Sequence, residues 1–305
     1  MSNNEELFDE TEYYKDRIEP LAIELRKRLS KLLRYQSTST KDSEYTSLQN
    51  YVDNMKENQE HIYYITGEKR KVLENSPYME QLRKRDYEVL FMTEPIDEYT
   101  LMHLKEFEGK KLVAITSDNL EFKSSDDEKI KQEEDNKNFS DLCSKVKEIL
   151  IGKVIDVKLS NRVVNTPCCV ITDKQGWSAT MEKIMKSQAL RDNSMMNMYE
   201  SKKIFELNPN HPTIIGLKEK MDSNDITFKD LVFLLYETSL ISAGFTLDNL
   251  QEHSTRMFKL VNFGLGVSNE EDETVEETVI SEESGQVTEG NVEDVPNEST
   301  MEEVD

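Results

Sequence analysis

Between His61 and Thr116, strand-like and helix-like runs alternate, and this alternation restricts the fold more than any other stretch of the chain. His61–Thr66 (HIYYIT) is dense in β-branched and aromatic residues, as a strand requires. Gly67 turns the chain into a helix over about Lys69–Arg85, with Val72, Leu73 and Leu82 on its apolar side. Tyr87–Thr93 (YEVLFMT) reads as a second strand. Pro95 sits where a helix can start, and Tyr99, Met102, Leu104 and Phe107 follow until Gly109 ends the helix. Lys111–Thr116 (KLVAIT) is a third strand. Strand, helix, strand, helix, strand predicts a small three-stranded parallel α/β unit with right-handed crossovers.

The flanks are read against that unit. Residues 1–16 form a polar N-terminal extension, and 17–116 a first domain. Leu21, Leu25, Leu29, Leu32 and Leu33 recur at helical spacing up to Tyr35, and the Ser/Thr run 37–40 ends that helix. Residues 117–138 are charged without an apolar period, which suits a linker or the start of an exposed helix. A second domain, 139–266, opens with a helix from Phe139 to Leu150. Val154–Leu159, Cys168–Thr172 and Lys203–Leu207 read as strands of a mixed α+β domain. Between them, Trp177, Met181, Ile184 and Met185 fall on one helical face, and Met195, Met196 and Met198 follow. Thr227 with Asp230 resembles a capping box. It opens a helix carrying Phe228, Leu231, Val232 and Leu235, with Gly244 as its C-cap. A last helix, about Leu247–Phe263, carries Leu250, Met257, Leu260 and Val261 and ends at Gly264. Such a hairpin buries its faces either within one chain or against a second copy as a four-helix bundle. The pattern alone leaves both open.

Charge separates the tail from the body. The chain has 305 residues and a net charge of −23. Ser268–Asp305 holds 15 Asp and Glu and no Lys or Arg. Removing those from the 61 acidic residues leaves 46 against 38 basic ones. The tail lacks any aromatic residue, so residues 267–305 are expected to be disordered. A chain this acidic is a poor ligand for nucleic acid or an anionic membrane, and no apolar run is long enough to span a bilayer. The N-terminus has no apolar core like that of a signal peptide, and the C-terminus is not an ER-retention signal. Cys143, Cys168 and Cys169 are odd in number and two are adjacent, so no disulfide framework is implied, and no Cys–His spacing suggests zinc. A cytoplasmic location is expected. His61, His103, His211 and His253 have no nucleophile pattern beside them, so no catalytic residue is assigned. No GxxxxGK[ST] loop is present.

HIYYITGE (61–68), EVLFMTEPIDEY (88–99), LKEFEGKKLV (104–113), GWSATMEKIMKSQALRDNS (176–194), LLYETSLISAGF (234–245) and the terminal MEEVD resemble, in order and spacing, the cytosolic ninety-kilodalton heat-shock chaperones. The resemblance runs from about Arg28 to Val267 and resumes at the tail tip. It matches the end of the family's middle domain and its C-terminal domain. It implies a molecular chaperone that binds unfolded protein. It makes Met301, Glu302, Glu303, Val304 and Asp305 the docking peptide for tetratricopeptide-repeat co-chaperones. Asp305 would present two carboxylates to a basic pocket, while Val304 and Met301 fill apolar ones. It assigns client contact to Trp177 and Met181, with Met195, Met196 and Met198 in the segment that follows; methionine suits promiscuous surfaces. It makes Leu231, Leu235, Leu250, Met257 and Leu260 buried positions of a dimer interface.

The family's ATP-binding domain and catalytic arginine loop have no counterpart here. ATP hydrolysis by this chain alone is therefore not expected; ATP and Mg belong to the family's N-terminal domain, and no cofactor is assigned. Two readings follow. One is a dimerising, co-chaperone-docking module, pairing with itself or with a full-length copy. The other is a fragment or incomplete gene model of an ATP-dependent chaperone.

Overall fold

The computed structural model of the protein describes residues 19–122, 126–174, 176–188 and 203–267. The N-terminal extension, Met195, Met196, Met198 and the acidic tail from Ser268 on, with Met301–Asp305, lie outside the described residues. The chain divides into two compact units, Met1–Arg256 and Met257–Asp305.

The three predicted strands form and pair in parallel. They are β3 (Ile62–Thr66), β4 (Val89–Met92) and β6 (Lys110–Ala114), with Tyr63 opposite both Val89 and Val113. The sheet is larger than expected, however. Its order is β2-β1-β4-β3-β6-β5, adding β1 (Arg34–Ser37), β2 (Thr46–Ser47) and β5 (Glu106–Phe107) through antiparallel pairing. These short segments carry too little periodicity to stand out as strands. Gly109 does not end a helix. Glu108 and Gly109, at φ 49° and 76°, form the tight turn joining β5 to β6. Both central residues of such a turn need positive φ, which glycine adopts freely.

Other boundaries shift as well. Helix α1 (Glu19–Ser30) stops short, and Tyr35 is a buried side chain of β1. α2 is Leu48–Asp53. The helix expected over 69–85 is broken into α3 (Arg70–Glu74), a 3₁₀ turn (Pro77–Met79) and α4 (Glu80–Lys84). Pro77 lacks an N–H, and its ring disfavours helical geometry at the residue before it. α5 is Pro95–His103. The charged stretch after Ser125 is the first half of a long helix, α6 (Asp126–Ile149), so its helix-start reading holds.

The second sheet has order β7-β9-β8, from β7 (Asp156–Leu159), β8 (Cys168–Thr172) and β9 (Lys203–Leu207). β9 pairs parallel with β7 and antiparallel with β8. α7 is Ala179–Gln188, so Trp177 precedes the helix instead of sharing its face with Met181. α8 (Pro212–Asp222) was not foreseen. α9 (Phe228–Ser242) matches expectation, but Thr227 makes no capping box. Its N–H and hydroxyl both donate to Asp225 Oδ1, at 2.8 and 2.5 Å. α10 (Leu250–Leu265) includes Gly264 and ends at Gly266, whose φ is 69°.

Alternation along the strands explains the packing. In β4, Val89 and Phe91 face one cluster, while Leu90 and Met92 face another. In β8, Cys169 and Ile171 join the cluster of Val89 and Phe91, while Cys168 and Val170 face α6 and α9. The two sheets therefore share an apolar layer containing Tyr63, Ile65, Val89, Phe91, Cys169, Ile171 and Ile204. Strands buried on both faces read as near-continuous apolar runs, as VLFM and CCVIT do.

Candidate functional site

Where the edge of the first sheet meets the start of α7 lies a cleft of about 270 Å³. Tyr64, Leu112 and Thr116 of the first sheet and its exit and Leu101 of α5 line it, together with Trp177 and Met181 at the start of α7. A single hydroxyl ties that start to α5. Ser178 Oγ accepts from the Met181 N–H at 3.0 Å, starting α7, and donates to Glu98 Oε1 on α5 at 2.5 Å. Met181 is 8% exposed, so it forms the floor; Trp177 is half-buried at the rim. Burial, with Glu98 adding, pushes the Tyr64 phenol above its ordinary value, so it stays a neutral hydroxyl. Glu182 on α7 pairs with Lys203 of β9 at 3.0 Å, which ties α7 to the second sheet, and with Lys186 of its own helix at 2.8 Å. The cleft is mixed: Glu98, Lys105, Asn119, Asp173 and Lys174 line it too, while Leu101, Leu112, Trp177 and Met181 give it an apolar part that can hold an apolar side chain from another polypeptide.

The helical hairpin is asymmetric. Phe228, Val232, Tyr236 and Leu240 of α9, four residues apart, enter the core, with Leu231 and Leu235 half-buried against it. α10 has no buried residue: Leu250, Met257 and Leu260 are 66%, 41% and 44% exposed. Within the first unit, α10 is held to α9 by polar contacts. Glu237 lies 2.9 Å from His253 Nδ1 and accepts from Arg256 Nη1 at 2.5 Å, and Arg256 also covers the Phe233 ring at 4.5 Å. The expected interface residues thus fall into two sets, half-buried on α9 and exposed on α10.

The remaining assignments are placed as follows. His103 is exposed. His211 Nδ1 accepts from the Thr213 N–H at 3.1 Å at the start of α8. His61 Nδ1 is buried without a hydrogen bond. All three cysteines are free thiols. Among the described residues, no group of three or more His, Cys, Asp or Glu could hold a metal ion, and no helix is long and apolar enough to cross a membrane.

Sequence reasoning missed one buried cluster. Arg162, 2% exposed, donates from Nε to Glu206 Oε2 at 2.8 Å and from Nη2 to Oε1 at 3.3 Å. Its Nη1 donates to the carbonyls of Ile115 (2.8 Å) and Ser117 (3.2 Å), at the exit of the first sheet. Burial opposes its charge, but Glu206 beside it holds the guanidinium above its ordinary pKa. Nothing in SNRVVNTP separates this arginine from a surface one.

The Hsp90 protein family model matches residues 20–294. A putative heat shock protein HSP 90-beta-3 of Homo sapiens is 49% identical over 223 residues, covering 72% of this chain and 37% of the relative. Heat shock protein 83 of Leishmania donovani is 43% identical over 281 residues, 92% of this chain and 60% of the relative. An endoplasmin homolog of Arabidopsis thaliana is 40% identical over 266 residues, 84% and 32%. The chain belongs to the Hsp90 family of chaperones and spans less than two-thirds of each of these relatives. One expectation is corrected here. The endoplasmin homologs, and a chloroplastic heat shock protein 90-5 of Arabidopsis thaliana at 38% identity, match along with heat shock protein 83. The resemblance therefore does not carry a cytoplasmic location, and the compartment is left unassigned.

Proposed function

We propose that this stretch of an Hsp90-family chaperone holds partly unfolded client protein at the Trp177–Met181 cleft, pairs with a second chain through α9 and α10, and docks tetratricopeptide-repeat co-chaperones through Met301–Asp305. The observation that carries the reading is α10, a sixteen-residue helix with no buried residue that presents Leu250, Met257, Leu260 and Phe263 to solvent. A helix with that much unburied apolar surface gains from a partner. The second chain is a copy of this one or a longer family member. In this reading ATP turnover belongs to another segment of the family's chain.

Sedimentation of the chain and of Leu260→Asp tests the pairing. A dimer that becomes a folded monomer in the variant supports it; equal sedimentation of both would overturn it. Calorimetric titration with a tetratricopeptide co-chaperone domain, for the chain and for a copy ending at Thr300, tests the docking peptide. Binding on the order of micromolar that vanishes with the last five residues is the expected result.

A further inference from the structure

The cleft is built from both sheets: Tyr64, Leu112 and Ala114 come from the first and Thr172 from the second. Thr116 and Ser117, which line it, lie in the segment whose Ile115 and Ser117 carbonyls Arg162 grips. Thr172, also in its wall, is tied to that segment by backbone bonds: its N–H donates to Thr116 O at 3.0 Å, and its O accepts from the Asp118 N–H at 2.9 Å. The loop that follows Arg162 is gripped in turn by Glu80 of α4. Glu80 Oε2 accepts from the N–H groups of Val164 and Asn165, the latter at 2.8 Å, and Oε1 accepts from Thr166 Oγ1 at 2.7 Å. Tyr78, just before α4, donates to the Val170 carbonyl of β8. Lys158 of β7 also pairs with Asp118, and Ser178 with Glu98 across the cleft, but the links with buried side chains, Tyr78, Arg162 and Glu206, cluster on residues 162–172 and their partners.

A shared apolar layer tolerates sliding, because dispersion contacts are non-directional. Forked, charge-assisted hydrogen bonds do not, since their strength falls steeply with angle and distance. We infer that Arg162 and Glu206, with Glu80 of α4 holding the loop that follows Arg162, form a clasp that fixes the two walls of the Trp177–Met181 cleft relative to each other. They are positioning residues for the holding activity, and this inference rests on that proposed reading. Loosening the clasp widens the cleft and weakens its grip on an apolar side chain without unfolding the sheets.

The test uses the whole chain. Trp177 is its one tryptophan, so intrinsic emission reports the cleft directly. Two variants are compared with wild type: Arg162→Met combined with Glu206→Gln, which removes both charges together, and Glu80→Gln. Three quantities are read: Trp177 emission, amide exchange at Thr116–Asn119 and Val164–Thr172, and binding of a fluorescein-labelled extended peptide rich in Leu and Phe. The clasp predicts native circular dichroism, red-shifted emission, faster exchange in those two segments, and peptide binding weaker by about tenfold. Folded variants with wild-type emission and exchange would overturn it. So would global unfolding of both variants, since the cluster would then serve the fold and not the cleft. If wild type itself fails to bind the peptide, the holding reading falls, while emission and exchange still decide the clasp.

Discussion

At the residue scale, a carboxylate and a guanidinium show how burial makes a charge matter. Glu80 sits where burial would raise its pKa, yet the N–H groups of Val164, Asn165 and Thr166 and the Thr166 hydroxyl together lower it below the ordinary carboxylate value. A depressed folded pKa contributes stability that is present above the unfolded value and lost as pH falls through the folded one. Wild type should therefore lose stability on acidification more steeply than Glu80→Gln, as read from urea midpoints taken at pH values descending through the carboxylate range. Equal slopes would show that Glu80 titrates alike in both states. Arg162 makes the stronger case. Arg162→Met alone removes the forked partner of Glu206, 2% exposed, and leaves it the Ser160 hydroxyl at 2.7 Å and Lys158 at 3.9 Å. It should cost about 3 kcal/mol in urea unfolding, the low end for a broken buried pair. Arg162→Met with Glu206→Gln should regain most of that loss, because the cost lies in the charge left behind more than in the missing pair. Neither role was legible beforehand, since a lone arginine in SNRVVNTP has no pattern to distinguish a buried fork from a solvated one.

At the element scale, legibility followed period. The strands HIYYIT, YEVLFMT and CCVIT could be read because their centres are buried and dense in apolar, aromatic and β-branched residues. β1, β2 and β5 could not, because they are edge or near-edge segments of two to four residues whose pairing is set by their neighbours. α6 shows why a helix can be half-read. Its first half is charged and almost wholly exposed, while Phe139, Leu142 and Val146 of its second half enter the core. The two halves should respond differently to mutation. Leu142→Ala, at a fully buried site, should cost about 2–5 kcal/mol. Ile130→Ser, at an exposed one, should stay within about 0.5 kcal/mol. Thermal melts of the two variants check this directly, and similar losses would mean that the charged half packs as firmly as the apolar one. The cleft was half-legible for a related reason. Trp177 and Met181 were picked from sequence, but helical spacing put them on one face, whereas Trp177 stands before the helix and Met181 forms the floor. What joins them to Tyr64 and Leu101 is tertiary, and no local period encodes it.

At the scale of the whole molecule, the reading of two domains joined by a charged linker meets a structure in which two sheets share one apolar layer. Tyr63, Ile65 and Phe91 of the first sheet and Cys169, Ile171 and Ile204 of the second belong to the same cluster. Exposing either half of that layer would uncover the other, so neither sheet can open without loss to its neighbour. This coupling predicts cooperativity: β3 and β9, about 140 residues apart in sequence, should unfold together. Native-state amide exchange is the direct measurement, following Ile62–Thr66 and Lys203–Leu207 as denaturant rises. Coincident free energies and slopes at the two strands are the expected result. Two separable steps, with the second sheet opening first, would show that the clasp and the shared layer hold the sheets in register without making them one folding unit. The distinction bears on how a chaperone of this kind works. Under the proposed holding role, a client side chain in the cleft would lie against residues of both sheets. A body that opens only as a whole would therefore keep the cleft's two walls together, whereas one that opens in steps would part them first.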